Sequence, residues 1–188
     1  MKRLFIAIKT QPDDGFVEQF RDLKRSLRHE KIKWVEENNI HITLKFLGET
    51  DEKLIPGINK VLEKTASGCS PFSFALKKTG IFGSSYAPKV IWVGIEPYLQ
   101  LVALMKKVHQ DLQQAGFEPD RQNLVPHLTL GRIKFLQDKK LFQDILAGHS
   151  DLASEPMQAN GFHLFESDLR KEGPVYTSLK YFGFKSDR

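Results

Sequence analysis

The sequence predicts an α+β protein of two pseudo-symmetric lobes, each an antiparallel sheet with flanking helices, around a central cleft. Three observations carry that expectation. His41-Ile42-Thr43-Leu44 recurs almost unchanged as His127-Leu128-Thr129-Leu130. The elements around each copy come in the same order: Pro71 stands 30 positions after His41 (41 to 71), and Pro156 stands 29 after His127 (127 to 156). Helical periodicities also alternate with extended stretches that are bounded by Gly and Pro. Letter identity between the halves is weak outside the motifs, so what repeats is the order of elements.

The first strand is expected near 2–9. The opening Met1-Lys2-Arg3-Leu4-Phe5-Ile6-Ala7-Ile8 is charged at its end, but its apolar stretch is too short for a leader and lacks a small-residue cleavage site. Phe16, Phe20, Leu23 and Leu27 recur at spacings of three and four and predict a helix from about Asp13 to Arg28. The first motif lies in a strand of about 40–47, ended by Gly48. Period 2 sends His41 and Thr43 to one face of it. Asp51 precedes a second helix with Leu54, Ile58, Val61 and Leu62 on its apolar side. Pro71 opens an extended pair, 72–82 and 89–95, joined by Gly83-Ser84-Ser85-Tyr86-Ala87-Pro88. A helix from about Tyr98 to Ala115 ends at Gly116, and a loop leads to Pro126 and the second motif. A helix of about 138–147 ends at Gly148. Two extended segments, 157–166 and 174–184, close the chain around a turn at Asp168–Gly173.

With 188 residues, 40% hydrophobic and 27% charged, the chain reads as one two-lobed domain, 1–188, with a substantial core. No apolar run approaches the roughly 18 residues of a membrane span. A single cysteine, Cys69, excludes an internal disulfide and fits a reducing cytoplasm, the expected location. Between Gly68 and Ser70 it has no neighbour in sequence to activate it and reads as inert. The net charge of +5 and pI near 9.2 suit a polyanionic partner. The basic residues are nevertheless spread along the chain, which is the pattern of solvated faces. A monomer is expected.

Two imidazoles and two hydroxyls presented from strands suit acid–base chemistry on a phosphoryl group. An in-line displacement needs a base for the attacking oxygen and an acid for the leaving one. Histidine serves either role near neutrality. Thr43 and Thr129 would donate to the non-bridging oxygens, where charge gathers in the transition state. A lone His on a half-buried strand is more often structural, and Thr suits strands for its β-branch alone. Two copies in register between repeated halves favour function. The other histidines read as structural or surface residues: His29 and His109 on or at the end of helices, His149 in a loop, His163 in a strand without a Thr partner. Lys45 shares the alternation face of His41 and Thr43, within reach of a phosphate. Arg132 would point away from His127 in a regular strand, but Gly131 is the mark of a bulge that re-aims it. Its guanidinium would suit phosphate. Tyr86, in a Gly/Ser loop, reads as local packing with base stacking as the other option. There is no Gly-x-Ser-x-Gly, no phosphate-cradling Gly-rich loop ending in Lys-Ser/Thr and no His-Glu-x-x-His. Carboxylate or cysteine ligands for zinc are missing beside either motif, so neither metal nor cofactor is expected. The near-symmetry leaves open which His is the acid and which the base.

The run Val35-Glu36-Glu37-Asn38-Asn39-Ile40-His41-Ile42-Thr43-Leu44-Lys45-Phe46-Leu47-Gly48, with Pro126-His127-Leu128-Thr129-Leu130-Gly131-Arg132, resembles the two-histidine phosphoesterase superfamily, and most closely its RNA 2′,3′-cyclic phosphodiesterase (2′-5′ RNA ligase) branch. The resemblance takes in Arg3-Leu4-Phe5-Ile6-Ala7-Ile8, Pro88 to Gly94, Phe165-Glu166-Ser167 and Gly173-Pro174-Val175-Tyr176, so it spans essentially the whole chain. It implies two α+β lobes around a cleft and metal-free hydrolysis of an RNA 2′,3′-cyclic phosphate end to a 2′-phosphate. It further implies His41 as proton donor to the leaving 3′ oxygen, His127 as the base activating water, and Thr43 and Thr129 as phosphate holders. In the reverse reaction, 2′-5′ joining, the histidines exchange roles. A non-catalytic RNA-end-binding protein, or a phosphodiesterase for a small cyclic-phosphate nucleotide, remains an alternative.

Overall fold

The computed structural model describes residues 1–118, 125–170 and 173–185. The predicted loop before Pro126 therefore lies largely outside the described residues, and the turn at 168–173 partly so. The elements run β1 (Lys2–Lys9), α1 (Asp14–Ser26), β2 (Lys31–Trp34), β3 (His41–Thr50), α2 (Ile55–Ser67), β4 (Phe72–Ser84), β5 (Ala87–Glu96), α3 (Leu99–Gln114), β6 (His127–Phe135), α4 (Lys139–Gly148), β7 (Met157–Ala159), β8 (Gly161–Leu169) and β9 (Pro174–Gly183). Short 3₁₀ turns occupy Glu37–Asn39 and Glu52–Leu54.

The strands form two antiparallel sheets, ordered β3-β1-β8-β9 and β2-β6-β5-β4-β7. The expected α+β class with one motif strand per sheet is therefore observed. The lobes, however, are not the halves of the sequence. In the first sheet, β1 pairs with β3 from its own half and with β8 from the other. In the second, with the chain divided at the turn between β4 and β5, β5 pairs with β6 from its own half and with β4 from the other. The helices cross over as well: α3, which follows β5, packs on β3 and α2, whereas Phe20 of α1 packs edge-on against Trp34 of β2 in the second sheet. Each sheet thus draws on both halves, in a matching pattern of pairing.

Helical periodicity turned into burial explains where the helices sit. Phe16, Phe20 and Leu23 of α1 are buried, as are Ile58 and Leu62 of α2 and Leu101, Leu104, Val108 and Leu112 of α3. Each such side chain contributes about 1.5–3 kcal/mol on leaving water. These residues join Leu4, Ile6, Ile42, Leu44, Ile91, Val93, Leu128 and Leu130 in one core that runs under both sheets. On the opposite face of the first sheet, Phe5, Ala7 and Phe165 make a separate small cluster with Tyr176 packed against it. Burial on both faces explains why Leu4 to Ile8 is continuously apolar rather than alternating.

Three elements differ from expectation. β2 was not predicted, since the four residues Lys31-Ile32-Lys33-Trp34 are too short to signal by themselves. Its partner β6 supplies the reason it forms. The segment predicted as 157–166 breaks at Asn160, and its pieces go to different sheets, β7 beside β4 and β8 beside β1. The loop expected at 83–88 tightens, because β4 runs to Ser84 and β5 starts at Ala87. Gly83, at φ +95, makes that hairpin possible.

Candidate active site

β3 and β6 belong to different sheets yet come into contact, which brings the two motifs together. Both strands show the same burial sequence over the motif: His and Thr half-buried, and the following three residues buried, buried, exposed. A regular strand cannot give that pattern; a bulge does. Opposite β1 the register jumps from Thr43–Ala7 to Lys45–Ile6, leaving Leu44 as the extra residue. Opposite β5 it jumps from Thr129–Trp92 to Gly131–Ile91, leaving Leu130. The carbonyl exposed by each bulge is satisfied: His109 Nε2 donates to Leu44 O at 2.9 Å, and the Val35 N–H donates to Leu130 O at 2.9 Å.

The bulges decide which side chains share the cleft face. On β6 these are His127, Thr129 and Arg132, so the re-aiming signalled by Gly131 is observed. Glycine is required there for space. A Cβ on Gly131 would come within 2.8 Å of Ile32 Cγ2 and 2.9 Å of Trp34 Cε3, where β2 lies across the strand. On β3 the third cleft-side residue is Phe46 and not Lys45, which corrects the expectation of a lysine at the phosphate. Lys45 pairs with Ile6 on the core side, is only 5% exposed, and donates from Nζ to Glu118 O at 3.2 Å. The Leu44 bulge carries no glycine and so gave no signal.

The two histidines are held by the same device. His41 Nδ1 lies 2.6 Å from Asn39 O and His127 Nδ1 lies 2.8 Å from Val125 O, in each case the carbonyl two residues back. A carbonyl only accepts, so both Nδ1 atoms carry the hydrogen and both Nε2 atoms are left for other partners. Asn39 is itself tied down, its side-chain amide donating to Pro174 O at the start of β9 at 3.0 Å. His41 packs on Phe5 at 5.1 Å and edge-on to Tyr176 at 5.2 Å, and His127 packs edge-on to Phe82 at 4.6 Å. This aromatic bedding desolvates both imidazoles and holds their pKa values below the ordinary 6.5. The positive charge of Arg132 pushes both the same way, and His127 adds to the effect on His41. The Arg132 charge is felt by both histidines and by Tyr176, so the guanidinium lies within electrostatic reach of both motifs. The Thr43 and Thr129 hydroxyls make no hydrogen bond to another group among the described residues.

The remaining candidates lie apart. Tyr86 is 77% exposed at the β4–β5 hairpin tip, beneath Lys139 Nζ at 4.3 Å from the ring centroid. Cys69 donates to Thr65 O, and burial pushes its thiol pKa up, which keeps it protonated. His149 bridges Ile145 O and Asp22. The sequence reading missed Phe5, Phe82, Asn39 and Tyr176 around the histidines, since nothing local marks a residue brought in by another strand. It also set aside His163, which stands on the cleft face of β8 opposite Ala7. Among the described residues no three His, Cys, Asp or Glu side chains are grouped to hold a metal ion, and no helix is long and apolar enough to cross a membrane.

Comparison with known proteins matches this doubled architecture. A protein of Methanocaldococcus jannaschii named RNA 2′,3′-cyclic phosphodiesterase is 34% identical over 178 residues, covering 95% of this chain and 98% of its own length. A Thermotoga maritima protein of the same name is 36% identical over 148 residues, covering 78% of this chain and 76% of itself. The crystal structure of TT0787 of Thermus thermophilus shares the fold, with TM-score 0.79 and 24% identity over 99% of this chain and 100% of that one. The family model for LigT-like phosphoesterases matches twice, over residues 6–92 and 93–176, one match for each histidine motif. The chain belongs to the LigT-like phosphoesterase family.

Proposed function

We propose that this phosphoesterase opens RNA 2′,3′-cyclic phosphate ends to 2′-phosphate ends. Water attacks phosphorus as His127 Nε2 takes its proton, the bond from phosphorus to the 3′ oxygen breaks, and His41 Nε2 protonates that oxygen. Thr43 and Thr129 donate to the non-bridging oxygens, and Arg132 offsets the charge that builds there. In the joining direction the same histidines exchange roles, giving a 2′-5′ bond. The observation that carries the reading is the matched pair of imidazoles, each with Nδ1 bound to a backbone carbonyl, beside two unengaged hydroxyls and one shared guanidinium. The names of the relatives supply the substrate class.

The test is turnover of a dinucleotide ending in a 2′,3′-cyclic phosphate, with EDTA present and phosphorus NMR of the product. Metal-independent formation of a 2′-phosphate is expected, because the histidines and threonines supply the proton transfers and the charge stabilisation. His41→Ala and His127→Ala should each slow the chemical step by about 10²–10⁴. A 3′-phosphate product would overturn the donor and base assignments. Turnover confined to a small cyclic nucleotide would move the enzyme to a different substrate, and no turnover on any cyclic phosphate would leave a binding protein.

A further inference from the structure

The cleft face of the first sheet carries more aromatic surface than two histidines need. From His41 the rings continue without a gap across four strands. Phe5 on β1 is 5.1 Å from His41, and Phe165 on β8 stacks on Phe5 at 5.2 Å and 18°. His163 stacks on Phe165 at 5.1 Å and 27°, and Tyr181 on β9 lies 4.8 Å from His163. The helices cover the other face, so this row is not part of the main core.

The far end of the row is set in place and left open. The Tyr181 ring lies over Gly161, where a Cβ would come within 2.7 Å of its Cζ, yet the residue remains 50% exposed. Its orientation is therefore set by a bare backbone, while its outer surface faces solvent. The His163 ring is turned by a 2.8 Å hydrogen bond between Nδ1 and Ser178 Oγ. Lys9, directly opposite His41 on β1, places a positive charge that His163 feels.

We propose that the open end of this row is a stacking platform for the single-stranded RNA that precedes the terminal phosphate, with Tyr181 and the His163 ring beside it receiving bases, the buried Phe165 backing His163, and Lys9 facing the backbone. The proposal rests on the phosphodiesterase reading for its direction, since the chain end is placed at His41. An exposed ring held by packed rings behind it, beside a cation, matches the π-face and phosphate of a nucleic acid strand. Three strand spacings of about 4.8 Å separate β3 from β9. That span suits about two or three bases, as on other sheet platforms that bind RNA.

The experiment compares a nucleoside 2′,3′-cyclic phosphate with a mixed-sequence hexaribonucleotide bearing the same end. The wild-type protein should show a clearly lower KM for the hexamer. Tyr181→Ala and His163→Ala should raise hexamer KM about fivefold to thirtyfold, the ordinary loss for one stacked base, and so collapse the hexamer-to-mononucleotide ratio of kcat/KM. Tyr181→Phe, which keeps the ring, should restore most of that ratio. A wild-type enzyme indifferent to length, or Ala variants with the wild-type ratio, would overturn the platform. Anisotropy of a 5′-labelled hexamer ending in a 3′-phosphate measures binding without turnover. If neither cyclic phosphate is opened, the phosphodiesterase reading fails, and equal anisotropy titrations for the wild type and Tyr181→Ala would then reject the platform separately.

Discussion

His41 and His127 each give Nδ1–H to the carbonyl two residues back, so the backbone of the motif's own approach selects the tautomer. The same approach seats each ring on aromatic neighbours. Desolvation is the larger cause of the lowered pKa at both, and Arg132 is a further one. The sign has a kinetic consequence. A paired mechanism needs one imidazole neutral and one protonated, and both here prefer the neutral form. The bell of kcat/KM against pH should therefore centre below the ordinary histidine value of about 6.5. Removing the guanidinium with Arg132→Gln should move both limbs to higher pH while lowering the maximum. A bell that stays in place or moves to lower pH in that variant would show that Arg132 does not act on the histidines electrostatically.

A strand that alternated through its whole length would put Lys45, not Phe46, beside the histidine. The bulge at Leu44 reverses that, and the one at Leu130 brings Arg132 to the cleft by the same shift. Two otherwise similar motifs thus present an aromatic ring on one side and a guanidinium on the other. Lys45, with its Nζ held by Glu118 O on the core side, is turned away from the face that carries the histidines. Lys45→Met keeps the stem and deletes the charge, and it should leave kcat/KM per folded molecule within about twofold, a barrier change of roughly 0.4 kcal/mol. A loss of tenfold or more, with circular dichroism unchanged, would return Lys45 to the site.

The exchange of strands between the halves ties the two motifs into one structure. Residues 1–86 hold β1 and β3 as a pair, but β2 needs β6, and β4 needs β5 and β7. Residues 87–188 lack β1, on which β8 pairs, and the helix α2 against which α3 packs. Either piece would expose sheet edges and half a core. Expressed alone, neither half should show a cooperative thermal transition, whereas the two co-expressed should restore one. A separately folded half with dispersed amide resonances would contradict this, and with it the reading of 1–188 as a single unit.

The repeat of His-x-Thr-Leu, the order of elements and the helix faces could be read from the chain, because period and spacing are local properties that survive folding. The pairing of motif residues on one face was legible for the same reason, and Gly131 even flagged the bulge behind Arg132. Other features could not be read this way. The Leu44 bulge arises from how β3 must register against β1, and no residue within β3 announces it. β2 exists because β6 offers Gly131 as a place for Trp34 to lie. The bedding of His41 comes from β1 and β9, and that of His127 from β4. Which strand stands beside which depends on burying two apolar faces at once across both halves, and that is settled only when the whole chain packs.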